Sequence, residues 1–123
     1  MAPSRLGQTT MGVALMAMIS GGIAVAALKF AQDAKIKHAG TECRTIRQAV
    51  QSHLFESGGS CPTVRELVSL RLLDSSTSGA DPWGNEYEVT CGDDDVLVVS
   101  FGPDRQPSTE DDIVVPATAR HDL

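Results

Sequence analysis

Residues 29–56 have the sequence KFAQDAKIKHAGTECRTIRQAVQSHLFE, which determines the fold class of the chain. Its apolar residues recur at steps of three or four: Ile36, Ala39, Cys43, Ile46, Val50 and Leu54. This spacing predicts one apolar face of an α-helix, with the charged side chains on the opposite face. The sequence that follows, Ser57-Gly58-Gly59-Ser60, is typical of a helix end. We therefore predict an amphipathic helix that packs one face against a small domain.

An uncharged stretch precedes this helix. From Leu6 to Leu28 there are 23 residues without a charge, which form a helix roughly 35 Å long, enough to cross a bilayer. Three interpretations fit: a retained membrane anchor, a secretory signal peptide ending at Ala24-Val25-Ala26, and a buried helix of a soluble fold. We favour the anchor, because the helical pattern continues without a break to about Phe55. Arg5 would then place the bulk of the chain outside the cytoplasm.

The remainder of the chain predicts a short helix and an antiparallel sheet. Residues 63–66 (Thr-Val-Arg-Glu) have the spacing of a capping box, and the helix that they begin should end near Asp74. Residues 86–91 and 95–101 predict two strands of a hairpin, and residues 113–115 predict a third short strand. The predicted fold class is therefore α+β, with a long N-terminal helix, half transmembrane and half amphipathic, packed on a small C-terminal antiparallel sheet.

Charge is divided unevenly along the chain, whose net charge is −6. Residues 1–73 contain 8 Lys/Arg and 4 Asp/Glu, whereas residues 74–123 contain 2 Arg and 12 Asp/Glu. The acidic half disfavours nucleic-acid binding, which needs clustered Lys and Arg, and fits cation binding or solubility better. We find no Gly-rich phosphate loop, His-Glu-x-x-His motif or nucleophile paired with a base, so we do not expect an enzyme.

The chain has three cysteines. Cys61 lies at the start of the short helix and Cys91 at the end of the first predicted strand. A bond between them would tie helix to sheet in a domain small enough to need such a link, so we predict this disulfide. Cys43 belongs to the apolar face of the long helix and should be free and buried. The alternative is three free buried thiols.

Residues 101–113 form the densest group of polar side chains, with the sequence FGPDRQPSTEDDI and four carboxylates. Ca²⁺ takes six to eight oxygen ligands from carboxylates and main-chain carbonyls in an adaptable geometry. If the loop folds back so that Asp104 meets Asp111 and Asp112, it offers three carboxylates together with main-chain oxygens. The spacing does not fit an EF-hand. Spacing alone leaves two alternatives, a cation site and a solvated acidic loop.

Two motifs that follow one another along the chain resemble those of a known family. They are Asp81-Pro82-Trp83-Gly84-Asn85-Glu86-Tyr87, and then Ser100-Phe101-Gly102-Pro103-Asp104 with Thr109-Glu110-Asp111-Asp112-Ile113. This part of the chain resembles the major pseudopilins of type II secretion systems. The resemblance implies a type IV pilin-like fold and a calcium site in loop 101–113. The implied side-chain ligands are Asp104, Asp111 and Asp112, and the implied main-chain oxygens lie near Phe101, Gln106 and Thr109.

The resemblance also implies a domain organisation and a function. Residues 1–7 would be a short basic leader that prepilin peptidase cleaves between Gly7 and Gln8. Residues 8–30 would be the transmembrane half of the helix, and residues 31–123 a globular domain in the periplasm. The protein would be a single-pass subunit in the bacterial inner membrane. It would assemble with copies of itself and with other pseudopilins into a filament that helps protein export.

The N-terminus departs from the family pattern at two positions. Gln8 stands where the family has Phe, and Gly12 stands where it has Glu. In the family, that Glu is thought to pair with the N-terminal amine of the neighbouring subunit during assembly. The departure leaves an alternative function, a pilin-like membrane-anchored adaptor or binding module that does not polymerise.

Overall fold

The computed structural model describes the backbone of residues 2–74, 77 and 79–122, and the side chains of residues 24–74, 77 and 79–119. The elements in chain order are α1 (Ala2–Ser57), α2 (Val64–Ser69), β1 (Glu88–Cys91), β2 (Val96–Ser100), β3 (Ile113–Val115) and a 3₁₀-helix (Ala117–Asp122). The predicted α+β class is confirmed: a long helix packs on a small antiparallel sheet. The chain divides into two compact units, Met1–Ala34 and Lys35–Leu123.

The first unit is helical. Val25, Leu28 and Phe30 are 69%, 71% and 77% exposed. Over the residues that the structure describes, we find no helix with the length and apolarity that a membrane span requires. The predicted leader 1–7 with its Gly7–Gln8 cleavage site, and residues 8–23 of the predicted span, lie outside the residues whose side chains are described.

The second unit buries most of the predicted apolar helix face, whereas Ile36 of that face is 38% exposed. Ala39, Cys43, Ile46 and Val50 are fully buried, and the last three share a core cluster with residues of α2 and the sheet. The helix ends at Ser57, as predicted. Gly58 follows with φ +62, and its N–H donates to the carbonyl of Leu54 at 2.9 Å. Glycine adopts this left-handed conformation at little cost, which is why it terminates helices so often.

The sheet has the order β1-β2-β3 with antiparallel pairing throughout. Val96, Val98 and Ser100 of β2 are buried, and the two valines alternate with the half-buried Leu97 and Val99. Because successive strand residues point to opposite faces, Val96 and Val98 join the core cluster on one face. Leu97 and Val99 lie on the other face, which we call the outer face of the sheet.

The N-cap hydrogen bond of the predicted capping box is present at the start of α2. The backbone N–H of Glu66 donates to Thr63 Oγ1 at 3.1 Å. The predicted end near Asp74 is wrong, because the helix ends at Ser69 and Arg71 adopts φ +58. A residue in this left-handed conformation cannot continue a right-handed helix.

The structure also shows how the sheet is tied to the helices. The sulfur atoms of Cys61 and Cys91 lie 2.09 Å apart, which joins the segment before α2 to the end of β1 as predicted. Cys43 is free and buried. Arg47 of α1 donates from Nε to the carbonyl of Val96 at 2.9 Å and pairs through Nη2 with Asp95 Oδ1 at 2.5 Å. This hydrogen-bonded ion pair lowers the pKa of Asp95.

Candidate functional site

The turn at residues 81–84 is organised by a buried carboxylate. Gly84 N–H donates to the carbonyl of Asp81 at 3.0 Å, which closes a β-turn. Asp81 is 5% exposed, and its Oδ1 accepts hydrogen bonds from the N–H groups of Trp83 at 3.1 Å and Asn85 at 2.8 Å. Local hydrogen bonds of this kind are typical of Asp at the first position of a turn.

The same carboxylate connects the turn to the end of β2. Ser100 Oγ donates to Asp81 Oδ2 at 2.7 Å, and Gly102 N–H lies 3.3 Å from Ser100 Oγ as a further donor. Residues 81–87 and 100–104 are separated in sequence but meet here. The two motifs that carry the family resemblance therefore form one contiguous site.

Loop 101–113 begins and ends at a close contact between two backbone segments. Gly102 has φ +75, and a Cβ at this position would lie 2.1 Å from the carbonyl oxygen of Asp111. No side chain fits at that distance, so glycine is required here on both conformational and steric grounds. Within the loop, Arg105 N–H donates to the Gly102 carbonyl at 3.1 Å and Asp112 N–H donates to the Thr109 carbonyl at 3.2 Å.

The three predicted side-chain ligands lie in this loop with different surroundings. Asp112 is 9% exposed and accepts from Ser108 N–H at 2.9 Å and from Thr109 Oγ1 at 3.3 Å. Asp104 is exposed and accepts from Gln106 N–H at 3.1 Å. Asp111 is exposed.

The loop provides oxygen atoms that could act as metal ligands, but its acidic side chains do not lie close together. Within the described residues, no three His, Cys, Asp or Glu side chains are placed to hold a metal ion. The six predicted positions share one loop and offer only carboxylate and carbonyl oxygens: Asp104, Asp111, Asp112, Phe101, Gln106 and Thr109. Oxygen donors of this kind fit Ca²⁺ chemically, and binding would require the carboxylates to move closer together.

Sequence reasoning missed a second polar contact, between α1 and the segment before β1. Tyr87, which is 3% exposed, donates its hydroxyl to Glu42 Oε2, and Glu42 Oε1 lies 2.8 Å from His38 Nε2. Burial, together with this hydrogen bond, raises the pKa of Tyr87. No sequence pattern links Glu42 to Tyr87, because 45 residues separate them.

The thiol of the free cysteine is unreactive at neutral pH. Burial raises the pKa of the Cys43 thiol to about 12, so the thiolate is scarce at neutral pH. Since the thiolate is the reactive form, Cys43 serves as a small core side chain.

A groove of about 430 Å³ follows the outer face of the sheet. Its apolar lining consists of Leu97, Val99, Phe101, Pro107 and Val114, and its polar lining of Glu88, Thr90, Ser108, Thr109, Glu110 and Asp112. One wall is therefore formed by Phe101, residues 107–110 and Asp112 of loop 101–113. No protein-family model matches the chain, and neither does any curated protein or solved structure.

Proposed function

We propose that the chain is a structural subunit of a type II secretion pseudopilus or a related pilin-like filament, anchored in the bacterial inner membrane with its globular domain in the periplasm. The observation that carries the proposal is the contact between Asp81 and Ser100, which brings the two resemblance motifs together at the start of loop 101–113. A long helix packed on a small antiparallel sheet agrees with the type IV pilin-like architecture. The exposed apolar residues of the first unit support burial against lipid or other subunits.

Calcium has a structural role in this proposal. Asp104, Asp111 and Asp112 would hold the ion, with main-chain oxygens near Phe101, Gln106 and Thr109. The four carboxylates within 13 residues repel one another, and a divalent cation relieves that repulsion. An ion that binds only the folded state stabilises it in proportion to the logarithm of its concentration.

A calcium titration of the thermal unfolding temperature tests the site. At a Ca²⁺ concentration of about 100 Kd, the gain in the free energy of unfolding is about 2.7 kcal/mol, which raises Tm by about 11–22 °C for a unit of this size. Asp111→Asn should remove the calcium dependence. The matched control is Asp93→Asn, which neutralises an exposed acid in the β1–β2 turn and should retain it. A wild-type Tm that is indifferent to calcium and to chelator would refute the calcium site.

Two measurements test the anchoring and the assembly. N-terminal sequencing of the membrane-extracted protein should start at Gln8 if prepilin peptidase acts on it. A start near Ala27 would indicate a signal peptide instead, and an intact N-terminus a plain anchor. In-cell crosslinking should give a ladder of self-crosslinked species.

The alternative function is a non-polymerising pilin-like adaptor. The sequence observation that favours it is Gly12, which stands where the family has Glu. Its crosslinking signature is a single heteromeric band in place of the ladder.

A further inference from the structure

The turn that follows α2 displays two leucines on either side of an arginine. Leu70 is 55% exposed and Leu72 is 44% exposed. Arg71 N–H donates to the Val68 carbonyl at 3.1 Å and Leu72 N–H to the Leu67 carbonyl at 2.9 Å. This pair of hydrogen bonds is the Schellman motif, which fixes the turn against the helix end. We call residues 70–72 the leucine turn.

Arg71 stands at the position of the Schellman motif where glycine is usual. Its φ of +58 costs an L-residue conformational energy that glycine would avoid. Strained backbone of this kind concentrates at functional positions. Its side chain is exposed, and in the described part of the chain it makes no ion pair. The fold itself therefore gains little from an arginine here.

The groove on the outer face of the sheet is also apolar, but the charge beside it is negative. Leu97, Val99 and Val114 form an apolar floor, because the pairing of Glu88 with Val99 and of Val99 with Val114 puts these side chains on one face. Glu88 stands at its edge, exposed and without an ion pair to any residue that the structure describes. An apolar floor with an acidic edge fits an apolar segment that carries a positive charge.

We propose that the groove binds the leucine turn of a second copy of this chain. Leu70 and Leu72 cover the apolar floor, and Arg71 lies beside Glu88 of the other copy. The leucine turn and the groove are different surfaces of the same unit, so each copy can insert its turn into one neighbour and bind the turn of another neighbour in its groove. Such a heterologous contact builds a filament when its repeat does not close into a ring. The inference rests on the proposed filament function and names the surfaces through which the globular domains meet.

The test measures self-association of the full-length chain in detergent micelles by analytical ultracentrifugation. Arg71→Gly relieves the backbone strain and removes the charge, so Tm should stay equal or rise while self-association weakens by about threefold to fivefold. The matched control is Arg105→Gly, at an exposed arginine with φ +60 that does not line the groove. It should leave self-association unchanged. Leu72→Ser should weaken self-association by about tenfold.

A charge exchange makes the test specific to the contact. Arg71→Glu and Glu88→Arg should each weaken self-association, and the double variant should restore it to within about twofold of wild type. If wild type self-associates and the single variants associate equally well, the contact is refuted while the filament proposal stands. If wild type stays monomeric across the concentration range, both are refuted.

Discussion

Replacing Asp81 with alanine removes the carboxylate that holds the 81–87 turn to the end of β2. Three hydrogen bonds are lost, from Trp83 N–H, Asn85 N–H and Ser100 Oγ, at 3.1, 2.8 and 2.7 Å. A hydrogen bond to a charged group contributes about 1.5–3 kcal/mol. At the low end of that range the three together stabilise the fold by about 4.5 kcal/mol. For a unit of this size we expect Tm to fall by about 18–36 °C.

The assay is thermal unfolding followed by circular dichroism, with two further variants. Asp81→Asn keeps the Oδ1 acceptor and offers Ser100 an N–H in place of a carboxylate oxygen, so its loss should be about 1–2 kcal/mol. Asp94→Ala removes an exposed acid from the β1–β2 turn and should stay within about 0.5 kcal/mol of wild type. If Asp81→Ala melts no lower than Asp94→Ala, the reasoning about the buried carboxylate is wrong.

Two further predictions concern the cysteines and the response to alkaline pH. The Cys61–Cys91 bond spans 30 residues, so replacing both with serine should cost about 3.6 kcal/mol by the chain-entropy estimate; equal urea midpoints for variant and wild type would contradict it. The folded-state pKa values of Cys43 and Tyr87 lie above their ordinary values of 9.0 and 10.0. The free energy of unfolding should therefore be at its full value below pH 9 and fall as pH rises through 9–12. Above pH 10 the fall should be less steep in Tyr87→Phe than in wild type. Identical pH profiles for that variant and wild type would exclude a contribution from Tyr87.

The sequence predicts best those elements that depend on local spacing. The buried face of α1 follows from the three- and four-residue steps between Cys43, Ile46 and Val50, because the helical period is a property of neighbouring residues. Residues 113–115 form the predicted strand. The first strand starts at Glu88 instead of residue 86, since Glu86 forms only an isolated bridge with Ala80.

The features that sequence reasoning missed depend on contacts between distant residues or on unusual backbone. The hydrogen bond of Asp81 with Ser100 crosses 19 residues, and that of Glu42 with Tyr87 crosses 45. The predicted end of α2 is wrong because Arg71 adopts the left-handed conformation that glycine usually adopts at a helix end. For the loop, composition predicts oxygen ligands but does not determine how close Asp104, Asp111 and Asp112 come to one another.

The contacts of Arg47 affect how the chain folds during synthesis. Its partners Asp95 and Val96 lie 48 and 49 residues further along the chain. At translation rates of about 5–20 residues per second, they are synthesised roughly 2–10 s after Arg47. During that interval Ile46 and Val50 have no sheet to cover them, because the strands that pack on them have not yet been synthesised. The nascent chain therefore exposes an amphipathic helix for seconds, which gives chaperones and lipid surfaces time to bind it before the hairpin forms.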